Sequence, residues 1–194
     1  MLKINCTIDY IKKWLEKNLD TERYAHSTGT AECAKELAKE FGLNTEKAYL
    51  TGLIHDCAKC LPKDKMQNIL NQIELVCGEF ENPKTHHAPA GVIIAKREFG
   101  VEDEEILSAI RWHTIGKLDM TDFEKIIFLA DKIEKTRPAE YAEPIRKALT
   151  SGGIDSALLV CYKNTIKSLV DRGLTICTAT IDIYNELLTN QKNS

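Results

Sequence analysis

A histidine and an aspartate, His55 and Asp56, stand side by side in the segment 52–59, at the end of an apolar stretch. If both lie on one helix, as the apolar spacing predicts, they are about 100° apart around its axis and can reach one object beside it. An imidazole nitrogen and a carboxylate oxygen together suit a divalent transition metal, whereas oxygens alone suit magnesium or calcium. An isolated His-Asp pair is more often a core histidine beside a surface aspartate. The interpretation therefore depends on the rest of the chain.

Other candidate ligands fall on the apolar sides of predicted helices. His26 lies on the inner face of a helix that begins near Asp20, and His113 closes the apolar stripe of a helix over 102–113. Asp131 follows an alanine on the stripe of a later helix, so its carboxylate is directed at the core. Burial of an unpaired carboxylate costs free energy. We therefore expect Asp131 to have a partner, which would be a cation, an arginine or a metal.

Two adjacent histidines, His86 and His87, open another predicted helix with Pro89 in its first turn. The free backbone N–H groups at a helix start favour an anionic ligand. One of the two histidines could serve a site while the other faces solvent. From their positions alone, the sequence prefers neither.

The elements that must position these residues are all predicted to be helices. Apolar residues recur at helical spacing, and no alternating strand of convincing length is found, so the sequence predicts an all-α fold. Without an internal repeat or linker, we expect a single domain over residues 1–194. The predicted helices cover 7–19, 20–42, 44–61, 63–76, 86–99, 102–113, 121–135, 145–150, 154–172 and 178–188, followed by a polar tail over 190–194.

The composition excludes some classes of protein. The 194 residues include 26 basic and 29 acidic side chains, a formal charge of −3, which argues against general nucleic-acid binding through backbone phosphates. No apolar run is long enough to cross a bilayer and none has the form of a signal peptide. The seven cysteines are scattered through apolar segments and are expected to be reduced thiols. We therefore expect a cytoplasmic protein.

The candidate ligands become informative as a set. Separate burial of four histidines and two aspartates would need many hydrogen-bond partners, whereas one metal centre satisfies them together. Their order, H…HD…H…H…D, resembles the HD superfamily of metal-dependent phosphohydrolases. Longer strings are similar to the bacterial symmetrical bis(5′-nucleosyl)-tetraphosphatases over nearly the whole chain. These strings are Arg23-Tyr24-x-His26, His55-Asp56-x-Ala58-Lys59, His87-Ala88-Pro89-x-Gly91, Ala109-Ile110-Arg111-x-His113-Thr114, and Phe128-Leu129-Ala130-Asp131 with Arg137-Pro138.

The resemblance implies an HD-domain helical bundle that cleaves diadenosine tetraphosphate into two molecules of ADP. It implies a divalent transition metal, iron ahead of manganese or cobalt, present as one or two ions. The central ligands would be His26, His55, Asp56 and Asp131, while His87 and His113 would complete a second metal site or contact phosphate. His87 is preferred to His86 as the ligand because it begins the His-Ala-Pro string.

A polyphosphate carries several negative charges and is cleaved by in-line attack of water on phosphorus. Asp56 and Lys59 are the expected catalytic residues, with Asp56 orienting the attacking water and Lys59 reaching a phosphate from one helical turn away. Arg23 and Arg137 are expected to bind phosphate as well. For Lys59, solvent-exposed charge is an equally good explanation, and Thr114 either donates to phosphate or caps its loop. The expected substrate-binding residues are Arg23, Lys59, His87, His113, Thr114 and Arg137.

Two alternatives remain at this point. One is an HD phosphohydrolase for another nucleotide, either a nucleotidase or a guanosine tetra- or pentaphosphate hydrolase. The other is a nucleotide-binding HD module that has lost catalysis. The expected partners are a dinucleoside polyphosphate and ADP, without membrane or general nucleic-acid binding, and the sequence leaves open whether the chain forms a homodimer.

Overall fold

The structure, a computed structural model, describes residues 5–76, 79 and 82–193. Within these residues the secondary structure consists of α-helices and short 3₁₀ and turn segments, without a β-strand, which confirms the predicted all-α class. The helices are α1 (Ile8–Asn18), α2 (Thr21–Glu40), α3 (Thr45–Ile54), α4 (Lys63–Leu70), α5 (His87–Phe99), α6 (Glu104–Trp112), α7 (Asp122–Ile133), α8 (Ala139–Asp171) and α9 (Thr178–Asn193), with a 3₁₀ turn at Pro83–Thr85 before α5.

Side-chain caps start several helices where the sequence predicts them. Asp20 accepts a hydrogen bond from the backbone N–H of Arg23 at the start of α2. Asn44 does the same for α3. Thr121 and Glu124 form a reciprocal capping box at the start of α7. These short polar side chains satisfy backbone donors that have no partner within the helix, which is why they mark helix starts reliably.

The predicted continuation of α3 through His55 and Asp56 is wrong, because the helix ends at Ile54. The His55 ring bonds the carbonyl oxygen of Gly52 through Nδ1 at 2.7 Å. Beyond it, the backbone N–H of Cys57 bonds to Ile54 O and that of Lys59 to Asp56 O, three residues back instead of four. The segment from His55 onward is therefore a series of tight turns, and Lys59 does not lie one α-helical turn after Asp56.

Helix α4 is also shorter than predicted, since it ends at Leu70 and not at residue 76. The N–H groups of Gln72 and Ile73 bond three residues back, to Ile69 O and Leu70 O, which converts the chain into turns.

At the other end of the chain, the helices are longer than the sequence predicts. Helix α8 begins at Ala139 and includes Pro144, which lies close enough to the start to disturb little of the helix. Gly153, with a φ of +74°, is not helical and forms a kink inside α8, between the two predicted stretches, so these remain separate helical segments. Helix α9 continues to Asn193, through most of the predicted polar tail, because Leu187 is buried and Gln191 bonds Ser156 on α8.

Helices α2 and α3 pack very closely at Gly52. A Cβ atom at Gly52 would lie 2.8 Å from the carbonyl oxygen of Thr30 and 2.9 Å from Cα of Ala31. The missing side chain at Gly52 therefore allows the backbone of α2 to approach just before the His-Asp pair. This contact brings the His26 face of α2 against the end of α3, where His55 begins.

The buried apolar residues form two clusters on either side of the candidate site. One cluster contains residues of α7, α8 and α9, including Ala130 beside Asp131. The other contains residues of α1, α3, α5 and α6, including Ile54 and Cys57, which flank the His-Asp pair. The candidate ligands therefore lie where the two clusters meet. None of the described helices has the length and apolar character needed to cross a membrane.

Candidate metal centre

Six side chains from five parts of the fold meet at the boundary between the two apolar clusters. The ring centroids of His26 and His55 are 5.2 Å apart, those of His55 and His113 are 4.9 Å apart, and those of His87 and His113 are 5.1 Å apart. None of the six residues is more than 5% exposed. The structure thus brings together every residue that the sequence analysis proposed as a metal ligand: His26 on α2, His55 and Asp56 after α3, His87 at the start of α5, His113 after α6, and Asp131 on α7.

Three of the histidine rings are anchored through Nδ1 to a backbone carbonyl oxygen. His55 bonds Gly52 O at 2.7 Å, His113 bonds Ile110 O at 2.7 Å, and His87 bonds Lys84 O at 2.8 Å. A carbonyl oxygen only accepts, so Nδ1 carries a proton in each ring, and in a neutral imidazole Nε2 then presents a lone pair. Anchoring of one ring nitrogen while the other faces a common point is typical of metal-binding histidines.

His26 is anchored differently, between two carboxylates. Its Nδ1 lies 2.9 Å from Glu134 Oε1 and its Nε2 lies 2.9 Å from Asp131 Oδ1. Glu134 is buried and also accepts from the backbone N–H of Thr136. The carboxylate of Glu134 therefore fixes the ring on the side away from the centre.

The inward-facing atoms lack enough partners among the described residues. Nε2 of His55 is buried without a hydrogen bond, 3.6 Å from Asp131 Oδ1 and 3.8 Å from Asp56 Oδ2. Nε2 of His87 and Nε2 of His113 are 3.1 Å apart, so two lone pairs face each other. Asp56 Oδ1 lies 3.0 Å from the same His87 nitrogen. A bound cation would resolve these contacts.

Two overlapping sets of these atoms have spacings that suit a metal ion. One set is His26, His55 and Asp131, the other is His55, Asp56 and His113, and within each set the ligand atoms lie within 4.8 Å of one another. Mixed imidazole and carboxylate ligands fit iron, manganese, cobalt or zinc better than magnesium or calcium. The donor set fits a divalent transition metal.

The protonation states favour a cation as well. Burial alone would raise the pKa of Asp56, but His55, His113 and His87 hold it well below its usual range. Burial alone would also raise the pKa of Asp131, but Lys132 and His26 hold this pKa well below its usual range. Burial lowers the pKa of His113 to about 4. At neutral pH the centre therefore combines anionic carboxylates with a neutral His113, and these are the forms that bind metal. For His26, burial acts downward on the pKa, but the bonds to Asp131 and Glu134 raise it overall, so a metal ion would displace a proton from this ring.

A cationic cavity opens directly onto the centre. It has a volume of about 270 Å³ and reaches Asp56, His87 and Asp131. Thr85 and Thr114 line it too, together with five positively charged side chains: Arg23, Lys59, Lys84, Lys132 and Arg137. Such a concentration of positive charge around two carboxylates suits a ligand with several negative charges.

The predicted substrate-binding residues lie in or beside this cavity. Arg23 Nη1 is 3.9 Å from Asp56 Oδ2, and Lys59 Nζ is 3.8 Å from Asp56 Oδ1 and in contact with the His87 ring. Arg137 pairs with Asp131. His113 is the exception, since it lies beneath the cavity among the ligands and does not line it. Thr114 lines the cavity, and its buried hydroxyl has no partner among the described residues, so it does not cap the loop.

The two adjacent histidines have different surroundings. His87 is part of the cluster, whereas Nε2 of His86 bonds the backbone carbonyl oxygen of Glu79 at 2.7 Å. His86 is therefore engaged with the segment that precedes the 3₁₀ turn and not with the candidate ligands.

Sequence reasoning missed three residues of the site. Lys132 pairs with Asp131, Lys84 lines the cavity, and Glu134 anchors His26. Glu134 follows Asp131 by three residues within the helix predicted over 121–135, and on a helix this spacing places both side chains on one side, which was an available signal. Lys132 directly follows Asp131 in the sequence, which was also an available signal. Lys84 had no signal of its own, because its position in the cavity follows only from how the segments pack.

Comparisons with known proteins place this arrangement among described families. Residues 23–136 match the model of the HD domain. A protein of Bacillus subtilis (strain 168) named "Bis(5′-nucleosyl)-tetraphosphatase, symmetrical" is 37% identical over 175 residues, covering 90% of this chain and 94% of the relative. A protein of the same name from Halalkalibacterium halodurans is 38% identical over 182 residues, covering 92% of this chain and 95% of the relative.

A solved structure has the same fold. The crystal structure of a protein from Clostridium acetobutylicum, described as a "predicted HD superfamily hydrolase involved in NAD metabolism", superposes with a TM-score of 0.88 at 38% identity. The match covers 95% of this chain and 98% of that chain. The helices outside residues 23–136 are therefore shared with this relative as well.

Proposed function

The chain belongs to the HD domain family, and on that premise we propose that it is a phosphohydrolase that cleaves diadenosine tetraphosphate symmetrically into two ADP. The relatives that carry this activity in their names match the chain along almost its full length. The observation that carries the proposal is the junction of a buried histidine and aspartate cluster with a cavity lined by five cationic side chains.

The cluster is proposed to hold one or two divalent transition metal ions, iron ahead of manganese or cobalt. His26, His55, Asp56 and Asp131 would be the central ligands, with His87 and His113 completing a second position or contacting phosphate. When bound, such an ion lowers the pKa of water and neutralises charge on phosphate oxygens. The unpartnered Nε2 of His55 supports a ligand role, because burial of that atom is otherwise uncompensated.

Asp56 is proposed to orient the attacking water. Its carboxylate lines the cavity, and its low pKa keeps it able to accept a hydrogen bond at neutral pH. The oxygen of the water bonds to one of the two central phosphorus atoms, and the bond from that phosphorus to the central bridging oxygen breaks. The bridging oxygen leaves on the second ADP.

The cationic side chains are proposed to bind the polyphosphate and stabilise the leaving ADP. Arg23 and Lys59 lie beside Asp56, Arg137 and Lys132 pair with Asp131, and Lys84 adds a fifth positive charge to the cavity. Thr114, with its unpartnered hydroxyl, is proposed to donate a hydrogen bond to a phosphate oxygen. These contacts position the phosphate chain and balance negative charge as the bond breaks.

A substrate panel tests the proposal. The purified protein, reconstituted separately with iron(II), manganese(II) and cobalt(II), would be assayed on diadenosine tetraphosphate, nucleoside monophosphates and guanosine tetraphosphate. We expect ADP as the nucleotide product of the first substrate and little turnover of the others. In water labelled with oxygen-18, one of the two ADP molecules should carry the label.

Other products would contradict the proposal in recognisable ways. Formation of AMP and ATP would mean asymmetric cleavage. Preferential hydrolysis of a monophosphate or of guanosine tetraphosphate would identify a different phosphohydrolase. Absence of metal after reconstitution, together with absence of turnover, would favour a nucleotide-binding module without catalysis.

A further inference from the structure

A second cavity adjoins the cationic cavity. It has a volume of about 320 Å³, and Lys84, Thr85 and Thr114 line both spaces. We refer to this second space as the side pocket. Its volume lies at the lower end of the range for small organic ligands, roughly 300 to 1,000 Å³.

The walls of the side pocket differ in chemistry from those of the cationic cavity. They are largely apolar, formed by Ile115, Phe128, Tyr162, Leu169 and Leu174, with threonine side chains and Arg172 among the remaining lining residues. The rings of Phe128 and Tyr162 stack with their centroids 5.6 Å apart, and the Tyr162 hydroxyl donates to the Ile115 carbonyl oxygen. Leu174 is 43% exposed, so part of its apolar surface is not covered by the protein. The pocket therefore suits a flat, mostly apolar group.

Most of the side pocket is built outside the segment that matches the HD domain model. The model ends at residue 136, whereas Tyr162, Thr165 and Leu169 lie on α8, and residues 172–180 form the link to α9 and its first turn. The HD segment carries every candidate metal ligand. The additional helices thus add a wall beside a centre that could otherwise act on many phosphate esters.

The junction between the two cavities indicates how a ligand would extend across them. Thr114 directly follows the candidate ligand His113 and directly precedes Ile115 of the side pocket, so only about 8 Å of backbone separates the two environments. The hydroxyl of Thr114 is buried and has no hydrogen-bond partner among the described residues. A polar donor left unsatisfied at this point suits a phosphate that connects the two spaces.

We infer that the side pocket binds one nucleoside of the dinucleotide while the attached phosphates occupy the cationic cavity. This inference rests on the proposed function, because the symmetric reaction requires the central phosphates at the metal centre and leaves a nucleoside two phosphates away on each side. One half of the substrate, equivalent to ADP, then fills both cavities. Inorganic pyrophosphate would fill only the cationic one.

Binding of ADP and of pyrophosphate to the metal-loaded protein, measured by calorimetry, tests this assignment. The wild-type protein should bind ADP at least about tenfold more tightly than pyrophosphate, since burial of a nucleoside adds more than 1.4 kcal/mol. The variant Thr165→Trp places a large ring in the side pocket from an exposed position on α8. It should bind both ligands equally, with metal content and pyrophosphate affinity unchanged.

The control is Val170→Trp, which adds the same ring to α8 at a residue that is 60% exposed and does not line the pocket. It should keep the preference for ADP. In turnover, Thr165→Trp should raise KM for diadenosine tetraphosphate about tenfold while Val170→Trp leaves it unchanged.

The two proposals fail differently. If Thr165→Trp retains the preference for ADP, or if the wild-type protein never has one, the nucleoside does not occupy the side pocket, whatever the protein hydrolyses. If the wild-type protein leaves diadenosine tetraphosphate intact but Thr165→Trp still abolishes the preference for ADP, the pocket assignment is correct and the proposed reaction is wrong.

Discussion

Glu134 accepts a hydrogen bond from Nδ1 of His26 at 2.9 Å, while the opposite nitrogen of the same ring lies 2.9 Å from Asp131. The Glu134 side chain is buried against Gly29, where a Cβ atom would lie 2.5 Å from Oε2. Burial would raise the pKa of Glu134, but bonds from His26 and Thr136 lower it, so the group is an anion at neutral pH. A charged acceptor fixes the ring and strengthens its other nitrogen as a ligand.

Substitution of Glu134 by glutamine should therefore weaken metal binding without disturbing the fold. Glutamine has the same shape but loses the charge, and its NH₂ group would face either the His26 N–H or the N–H of Thr136, which now donates to Glu134. We expect metal affinity to fall by about 10- to 100-fold. Competition with a chelator measures this. The exposed Glu140→Gln serves as the control, and equal affinities of the two variants would exclude a role for Glu134 in orienting His26.

Asp56→Ala should abolish hydrolysis, with a loss of about a thousandfold or more in kcat/KM. The fold should be largely kept, because burial lowers the pKa of His87 and His113, so neither ring is left as a buried cation. The two other cations beside Asp56, Arg23 and Lys59, remain partly exposed to solvent. Turnover assays with circular dichroism measure both properties. The exposed Asp64→Ala is the control, and near-normal activity of Asp56→Ala would end the proposed role of this carboxylate.

Lys59→Ala should have a smaller effect than the loss of Asp56. Its Nζ shares the cationic cavity with four other positive side chains, so we expect a rise of about tenfold in KM and a weaker effect on kcat. Lys59→Arg should recover most of the affinity because it keeps the charge. Steady-state kinetics at low ionic strength measure these effects, and the exposed Lys65→Ala is the control. If Lys59→Ala and Lys65→Ala had the same KM and kcat, Lys59 would be an ordinary surface charge.

The sequence predicted the helices well where local signals determine them. The caps Asp20 and Asn44 act on the residues directly after them, and apolar spacing identifies the buried side of each helix. It failed at the end of α3, where the His55 ring takes the Gly52 carbonyl oxygen. A bond between a side chain and the backbone three residues before it has no signature in apolar periodicity.

The candidate site was predictable to a similar extent. Buried polar residues on otherwise apolar faces pointed to the ligands, since each would be costly alone. Lys132 was missed although it directly follows Asp131 and pairs with it. Lys84 was not predictable, because its place in the cavity depends on packing between segments that are far apart in sequence. The side pocket has the same origin, with walls that come from before α5 and from α8.

Metal removal should lower thermal stability as well as activity. Metal bound to the native state alone adds about 2.7 kcal/mol to the free energy of unfolding at a free concentration of 100 times Kd, which for a chain of this size corresponds to about 5 to 10 °C in Tm. Scanning calorimetry before and after chelation measures the shift. His55→Ala should show a much smaller shift, because the side chain shared by both candidate ligand sets is gone. A shift of equal size in that variant would place the metal elsewhere.

Gly52→Ala should destabilise the protein and loosen the metal centre together. The new methyl group would lie 2.8 Å from the Thr30 carbonyl oxygen, and backbone atoms of a packed helix cannot move aside cheaply. Alanine has a better helix propensity than glycine, which offsets part of this cost. We still expect the free energy of unfolding to fall by about 2 kcal/mol. Because Gly52 sets the approach of α2 to α3, the distance between His26 and His55 should increase and metal affinity should decrease.

Gly91→Ala provides the matched comparison for this last prediction. There the nearest atom to a new methyl group is Cγ2 of Ile110, a side-chain atom 3.1 Å away, and the nearest backbone atom is 3.5 Å away. We expect a smaller loss of stability from Gly91→Ala than from Gly52→Ala, measured by denaturant unfolding of the metal-free proteins. If Gly52→Ala were as stable as wild type and bound metal equally well, close contact between α2 and α3 would not be what holds the two histidines together.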